Sequence, residues 1–333
     1  MERFLRNGKD MYYIIVNPAS KSGKGIKIWS QIQPVLDGSE IKYRVFFSRE
    51  AGHVIRLVQE LSASLLKSAQ SSVLKLIILG GDGTLNEALQ GISDFDRVQV
   101  GYIPTGSSND MARDLKFPSD PALILKRILD CKEPVRMDIG CLTYHNSSCC
   151  LWQNNGKLPK QRYFAVSSGI GFDAAVCEEA LTSKFKRVLN KIGLGKLTYL
   201  AIALKQLIMA KKISCDLTLS DGRRLHMPKF LFVAGMIHQY EGGVFKFCPD
   251  ANFHDGLIDV CVIGNIPKWL IFLALPTAFI GEHYRFRGID RYLASRIHIE
   301  VSSPLWIHTD GEVSAKSSSI TLTCEKEKLH FLM

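Results

Sequence analysis

The chain has no CxxC pair and no HExxH, so nothing in it reads as a structural zinc or a zinc hydrolase. Its nine cysteines are scattered, and the adjacent Cys149 and Cys150 cannot easily bridge each other. Thiols used this way point to a reducing, cytoplasmic compartment. No apolar run reaches the roughly 18 residues a membrane-spanning helix needs. The longest, Trp269 to Ile280, is shorter and contains Pro276. Met1 to Asp10 is charged and lacks an apolar core, so no signal peptide is read there. Internal repeats and low-complexity tracts are also missing. Asn146-Ser147-Ser148 matches a glycosylation acceptor, but in a cytosolic chain it reads as a polar loop.

What is present is ordinary globular material, 46% hydrophobic and 22% charged, which argues against disorder. A length of 333 residues favours about two domains. The net charge of +10 attracts phosphate, on nucleotides, nucleic acids or anionic lipids, without choosing among them. The first part, 1–138, alternates short β-branched runs with helical patterns. Strands are read at Met11 to Val16, Tyr43 to Phe47, Leu74 to Leu79 and Val98 to Ile103. Helices are read at Ile26 to Leu36, Val54 to Leu66, from Leu85, and at Pro121 to Leu129. That alternation predicts an α/β domain with a parallel sheet and helices on both faces. The second part, 139–333, reads as an antiparallel β-sandwich. Its strands fall at Ser214 to Leu219, Phe230 to Met236, Leu257 to Ile263, Arg296 to Val301 and Ile320 to Cys324. Helical inserts interrupt it at Leu194 to Ala210 and Pro267 to Phe279, and His145 to Gln161 reads as a long loop.

The strongest chemical signal is Gly80-Gly81-Asp82-Gly83-Thr84-Leu85-Asn86-Glu87, between a strand and a helix. Three glycines let the backbone approach a ligand with its N–H groups outward, and the helix N-terminus favours an anion. Thr84 and Asn86 can donate to phosphate oxygens. A tight turn alone needs one or two glycines, not three flanking a carboxylate. Asp82, within such a cradle, repels phosphate unless it works through Mg²⁺ or takes a proton. Asn17-Pro18-Ala19-Ser20-Lys21-Ser22-Gly23-Lys24 follows the first strand at the same sheet edge, where open α/β sheets bind ligands. It lacks Walker A spacing. Pro104-Thr105-Gly106-Ser107-Ser108-Asn109-Asp110 follows the fourth strand, with Arg113 a turn later. Ser108 or Asn109 suits the cap of a helix through Met111 to Leu115, but capping needs one polar residue, not this run. Three polar loops at one edge favour a nucleotide site.

These motifs, in this order, resemble the bacterial diacylglycerol kinase and lipid kinase family. That family is related to sphingosine kinase and shares its GGDGT loop with NAD kinase and phosphofructokinase. The resemblance spans nearly the whole chain. It extends through Met137-Asp138-Ile139-Gly140, Gly169-Ile170-Gly171-Phe172-Asp173-Ala174, Gly242-Gly243, Pro249-Asp250-Ala251, Asp255-Gly256-Leu257 and Asp310-Gly311-Glu312. It implies ATP and Mg²⁺ as cofactors and an active site in a cleft between the two domains. Glu312 would be the proton acceptor for a lipid hydroxyl. Asp82, Asp110, Asp138, Asn109 and Arg113 would form the network around magnesium and phosphates. Asn17, Pro18, Ser20, Gly80, Gly81, Gly83, Thr84, Asn86, Glu87 and Thr105 would complete the nucleotide site. Asp255, with backbone carbonyls of Asn252 and Leu257, would hold a structural magnesium. On its own, Asp310-Gly311 is a turn.

Gly169 to Ala174 also fits a GxGxxA dinucleotide pattern, but no acidic residue follows at ribose-binding distance, and a tight turn is the better reading. Ile192 to Met209, ending in Lys211-Lys212, and Trp269 to Ile280, followed by Arg285, Arg287 and Arg291, read first as core packing. Read functionally, they form an interfacial surface for anionic headgroups and acyl chains. The partners expected are a lipid at a membrane surface, with no nucleic acid and with a homodimer left open. The place expected is the cytoplasm, at the inner face of the membrane. The family's long C-terminal return segment reads as absent, since the chain stops soon after its last strand. Two rival readings stand beside the lipid kinase: a nucleotide- or lipid-binding protein without turnover, and a kinase of a soluble alcohol.

Overall fold

The structure, a computed structural model, describes residues 11–67, 73–146, 149–150, 159–182 and 195–333. The readings at Met1 to Asp10, over most of His145 to Gln161, and at the start of the Ile192 to Met209 stretch lie outside these residues. The chain forms two compact units, residues 1–138 with 326–333, and residues 139–325.

In the first unit, β1 (Met11–Val16), β2 (Lys42–Phe47), β3 (Leu74–Gly80) and β4 (Val98–Pro104) form a parallel sheet in the order β4-β3-β1-β2. Both faces are covered, as the continuous apolar runs of β1 and β3 require. On one face, Ile14, Val16, Ile77 and Leu79 pack against Ile28, Trp29 and Ile32 of α1 (Ser20–Asp37) and Ile124, Leu125 and Ile128 of α5 (Pro121–Asp130). Alternate strand residues, Ile15, Leu76 and Ile78, are fully buried from the opposite face. There α2 (His53–Lys67) packs on α3 (Asp82–Gly91) so closely that a Cβ on Gly91 would lie 2.6 Å from the Val58 side chain. The parallel α/β reading of this unit holds.

The last strand corrects the reading of the C-terminus. It was read as ending at Cys324, before the charged run Glu325-Lys326-Glu327-Lys328, but β15 runs from Glu312 to Leu332. Its final residues return to the first unit, where His330, Phe331 and Leu332 pair in parallel with Gln99, Val100 and Gly101. A return segment is therefore present, though short. The charged run explains the miss: Glu325, Lys326, Glu327 and Lys328 take exposed or half-buried positions just before Leu329, Phe331 and Leu332, which are buried. Glu327 adopts a left-handed φ of 51° and donates its N–H to Asp138 at 2.7 Å.

The second unit is antiparallel and β-rich, as expected. Its main run is β13 (Ile289–Ala294), β12 (Ile258–Ile263), β11 (Phe232–Met236), β8 (Ser167–Gly171), β14 (Arg296–Thr309) and the start of β15. β9 (Ile213–Leu219) pairs with both β14 and β10 (Arg224–Phe230), and β5 (Val135–Tyr144) pairs with β7 (Gln161–Phe164). The two-residue period divides two cores. Val233, Val260 and Val262 join the sandwich interior with Ile170, Ile297, Ile307 and Leu322. Phe232, Ala234, Cys261 and Ile263 face the other way, toward Leu207 of α7 (Gly195–Met209) and Ile271 and Ala274 of α8 (Lys268–Ala274). A 3₁₀ turn, Leu275–Phe279, finishes the insert that was read as one helix, because Pro276 cannot continue α8. Another helix, α6 (Phe172–Thr182), starts directly from β8.

Candidate functional site

Three loops leave the carboxyl edge of the first unit's sheet together, because the ladder continues past the strands. Asn17 donates its N–H to Leu79 O at 2.8 Å, and Thr105 donates to Gly80 O at 2.7 Å. Side chains extend the join. Asn17 Nδ2 donates to Thr84 Oγ1 at 3.0 Å, and the Ser20 and Thr105 hydroxyls lie 2.5 Å apart. Asn17, Ser20, Thr84 and Thr105 are thus one cluster. Pro18 sits between the first two.

The glycines earn their places by contact. A Cβ on Gly106 would lie 2.6 Å from the Gly81 Cα, and one on Gly81 would lie 3.1 Å from the Gly106 Cα. On Gly80 a Cβ would meet the Thr84 side chain at 2.4 Å. The loops after β3 and β4 therefore touch backbone to backbone. The loop after β1 opens α1 with Lys21, Ser22 and Gly23 all left-handed, at φ 43°, 58° and 93°. Lys21 and Ser22 are exposed there. The helix read from Ile26 thus begins at Ser20, with an irregular first turn.

Asp82 sits elsewhere than the sequence suggested. The following helix starts at Asp82 itself, not at Leu85, with Gly81 as its N-cap. The carboxylate therefore lies in the first helical turn, where the helix dipole favours negative charge. It accepts the Asn109 N–H at 2.7 Å. Asn109 takes the left-handed conformation, φ 53°, one step before the short helix α4 (Asp110–Asp114). Its side chain does not cap that helix. It turns back instead, Oδ1 accepting from Gly106 N–H at 2.9 Å and Nδ2 donating to Gly106 O at 3.1 Å. Tyr102 donates its hydroxyl to the same Oδ1 at 3.4 Å. Asp110 is buried and Arg113 is exposed on the first turn of chain beyond it.

Four expected residues turn elsewhere. The Glu87 carboxylate accepts the N–H groups of Gly52 and Val54, at 2.8 and 3.2 Å, so it fastens the start of α2. Asn86 is fully buried and accepts from Gln90 within α3. Asp138, buried, accepts the Glu327 N–H and so anchors the returning strand. Gly83 lies inside α3 and not in a loop.

In the second unit, Asp310-Gly311 forms the two-residue link between β14 and β15. Thr309 pairs with Glu312, and both linking residues have positive φ, 50° and 80°. That is the type I′ hairpin geometry favoured by Asp-Gly. The Asp310 carboxylate accepts three successive backbone N–H groups, from Ala165, Val166 and Ser167, at 2.8 to 3.0 Å. Asp310 N–H returns a bond to Ser167 O at 2.8 Å. Glu312 is the first residue after this pinned turn and is half-buried. Arg162, buried, donates to Thr309 Oγ1 at 3.2 Å.

Behind the turn lies a cluster that sequence reading passed over. His308 Nε2 is 3.1 Å from Asp173 Oδ2 and 3.2 Å from Glu241 Oε1. Burial opposes charge on the His308 ring, while Glu241 and Asp173 outweigh it and raise its affinity for a proton. Burial in turn shifts Glu241 toward its protonated form. Gly169 makes room for the cluster, since a Cβ there would lie 1.9 Å from Asp173 Oδ2. Asp173 belonged to a stretch read as a tight turn. His308 stands two residues before Asp310, and Glu241 carries no sequence signal at all.

Asn252, Asp255 and Leu257 lie in one exposed to half-buried loop. Asp255 Oδ1 accepts the Leu257 N–H at 2.9 Å, and Asn252 Oδ1 accepts from His254 N–H at 3.2 Å. A carboxylate with carbonyl oxygens is the donor set a hard cation takes, so these residues fit magnesium chemically.

Comparison with known proteins matches both units. Residues 11–142 fit the model for the diacylglycerol kinase catalytic domain, and residues 165–332 that for the YegS C-terminal NAD kinase beta sandwich-like domain. The Bacillus subtilis (strain 168) protein named "Putative lipid kinase YtlR" is 27% identical over 303 residues, covering 91% of this chain and 93% of that protein. The diacylglycerol kinase of the same organism is 27% identical over 240 residues, 71% of this chain and 70% of its own length. A crystal structure of a diacylglycerol kinase from Bacillus anthracis superposes with a TM-score of 0.68 at 22% identity, covering 98% of each chain. Its fold, a parallel α/β part followed by an antiparallel β-rich part, is the one described above. With a kinase catalytic domain and a matching β-sandwich domain over most of its length, this chain is a kinase that uses ATP and belongs to the diacylglycerol kinase-like lipid kinase family.

Proposed function

We propose that the protein transfers the γ-phosphate of ATP to the hydroxyl of a membrane lipid, with diacylglycerol as the acceptor and phosphatidic acid as the product. The observation carrying this reading is the contact of Gly81 with Gly106, which brings two N–H-rich loops together beside Asn17, Ser20, Thr84 and Thr105. Such a surface suits a chain of phosphates, and the basic Lys21, Lys24 and Arg113 suit its charge. Asp82 and Asn109, bonded to each other, order this edge of the sheet, and together with Asp110 and Asp138 they are assigned to the magnesium-nucleotide complex. Magnesium, when bound, supplies charge neutralisation to the phosphates. Asn86 and Glu87 act more remotely, through the body of α3 and the start of α2. Asn252, Asp255 and Leu257 are assigned to a second, structural magnesium.

Glu312 is assigned as the base that accepts the hydroxyl proton as the new oxygen–phosphorus bond forms and the bond to the leaving ADP oxygen breaks. Its support is the doubly left-handed turn before it, fixed by the three N–H bonds to Asp310.

A lipid acceptor requires a face that meets a membrane. Among the described residues no helix is long and apolar enough to cross one. The stretch Gly264 to Gly281 holds no acidic residue. It exposes Trp269, Phe272 and Leu273 at helical i, i+3, i+4 spacing, then Ile280. Trp269 is 65% exposed and Ile280 70%. Lys268 Nζ bonds Ile208 O at 2.6 Å, which sets the exposed Ile208 and Met209 beside this stripe. Lys211 and Arg287 are exposed near it, as is Arg285, which pairs with Glu282 at 2.6 Å. Arg291, counted in the sequence reading, is instead engaged by Asp259 and Asp250. An apolar stripe with basic neighbours suits peripheral attachment to an anionic, cytoplasm-facing leaflet.

The test is a substrate screen. The protein, ATP and Mg²⁺ are incubated with diacylglycerol, a sphingoid base or phosphatidylglycerol in mixed micelles, and products are read by mass spectrometry. Phosphatidic acid is the expected product. A different phosphorylated lipid would correct the acceptor. Phosphorylation of a soluble alcohol with no lipid product would overturn the reading. ATP binding by calorimetry without any transfer would leave a binding protein.

A further inference from the structure

We infer that His308 is a positioning residue for Glu312, holding the Asp310-Gly311 turn through Nδ1 while Asp173 and Glu241 hold Nε2–H. The inference rests on the assignment of Glu312 as the base. By composition the cluster could be taken for a metal site, since two carboxylates and an imidazole offer atoms within 4.8 Å of one another. The far side of the ring decides otherwise. Gly311 directs its backbone N–H at His308 Nδ1 from 3.2 Å. A nitrogen that accepts this bond carries no hydrogen, so the hydrogen of the neutral ring is on Nε2. An Nε2 that carries hydrogen cannot ligate a metal, but it can donate to Asp173 at 3.1 Å and Glu241 at 3.2 Å. Metal-binding histidines show the reverse order, with the second nitrogen donating outward.

The same bond bears on where the cluster's extra proton resides. The carboxylates raise the affinity of the ring for a second proton. That proton would sit on Nδ1, facing the Gly311 N–H donor to donor. The geometry therefore favours placing it on Glu241, whose buried carboxyl is itself shifted toward the protonated form. The charged and titratable groups around the ring are Asp173 from α6, Glu241 from the loop after β11, and Asp310 from the turn. The backbone completes the arrangement. His308 pairs with Gly169 of β8, and Ser168 Oγ donates to His308 O at 2.8 Å. The turn before Glu312 is thus fastened at Asp310 by three backbone N–H groups and at Gly311 by a buried ring. A base must be placed within a few tenths of an ångström of its proton, and a misplacement of about 1 Å costs on the order of 10² in rate.

Two substitutions separate positioning from bulk support. In His308→Asn the side-chain oxygen can sit where Nδ1 was and accept from Gly311. In His308→Gln the amide nitrogen can sit where Nε2 was and serve the carboxylates. The inference expects His308→Asn to keep kcat within about threefold, and His308→Gln to lose roughly ten- to hundredfold in kcat with KM for lipid little changed. A purely structural histidine predicts the opposite order, because the Nε2 bridge between the buried carboxylates is then what matters. Equal activities, or Gln better than Asn, overturn the inference.

The independent readout is ¹⁵N NMR of the intact wild-type protein at pH 7.5. The expected ring is neutral, protonated on Nε2, with a coupling across the hydrogen bond between Gly311 N and His308 Nδ1. An imidazolium, an Nδ1–H ring, or an Nε2 shift on adding Zn²⁺ or Mn²⁺ overturns it. If wild type phosphorylates no lipid, the kinase reading and the positioning role fall together, while the NMR result still states the ring's hydrogen bonding.

Discussion

Asp82 gains its meaning from one structural fact, its place as the first residue of α3. There a carboxylate is favoured by the helix dipole and can hold the Asn109 N–H of the neighbouring loop. The charge conflict that the sequence posed, an acid inside a phosphate cradle, is therefore eased by position. Asp82→Ala is expected to abolish phosphoryl transfer and to cost about 1 kcal/mol by releasing that N–H. Urea unfolding of the variant, with turnover assayed on the same sample, checks both. Wild-type turnover would remove Asp82 from the chemistry. Dense motifs singled out Asp82 and Asn109 in the sequence, whereas Glu312 was singled out only by the family resemblance. Sequence could not give Asn109 its left-handed backbone or its bonds to Gly106, because those depend on the loop closing on Gly81. It could not see Glu87 turning to Gly52 and Val54, a partnership across 33 to 35 residues. His308 and Glu241 were hidden for the same reason: 67 residues separate them, and only the sheet brings them together.

At the scale of elements, the close approach of the loops after β3 and β4 is the feature most open to test. Gly106→Ala places a methyl 2.6 Å from the Gly81 Cα, and neither backbone can yield without opening the cradle. Weaker ATP binding by calorimetry, with an unchanged circular dichroism spectrum, is the expected outcome. Unchanged affinity would show that the loops do not grip the nucleotide together. The second elemental prediction concerns the apolar stripe. Trp269→Glu should release the protein from phosphatidylglycerol vesicles in flotation, while transfer to a short-chain lipid dispersed as monomers stays near wild type. Equal flotation would show that this face does not meet the membrane. Strands and helices of the first unit were legible because β1 and β3 are continuous apolar runs and the 3.6 period in α2 and α5 is unbroken. The end of β15 was not, because four successive charged residues interrupt the apolar pattern and the backbone turns left-handed at Glu327.

At the scale of the whole molecule, stability has its own titration. His283 is buried, and burial lowers its pKa from an ordinary 6.5 to about 4. The unfolded chain therefore binds a proton between those values that the native protein refuses. The contribution of this neutral ring is fully present above about pH 6.5 and is lost as pH falls toward 4. The melting temperature should drop across that window more steeply in wild type than in His283→Leu. Parallel curves would assign acid sensitivity to other groups. The buried thiols Cys215 and Cys261, both pushed up to about 12 by burial, take no part below that range. The reading of the cysteines as incidental agrees with the unbridged Cys131, Cys141, Cys177, Cys248 and Cys324.

The function proposed rests at this scale on one act, movement of the ATP γ-phosphate to a lipid hydroxyl with Glu312 assigned to take the proton. The most direct measurement is label transfer from γ-labelled ATP to diacylglycerol in mixed micelles with Mg²⁺, comparing wild type with Glu312→Gln. The account predicts labelled phosphatidic acid from wild type and a rate lower by roughly 10² to 10⁴ for Glu312→Gln, at unchanged melting temperature and ATP affinity. Label reaching no lipid from well-folded wild type, or Glu312→Gln transferring at the wild-type rate, would contradict it.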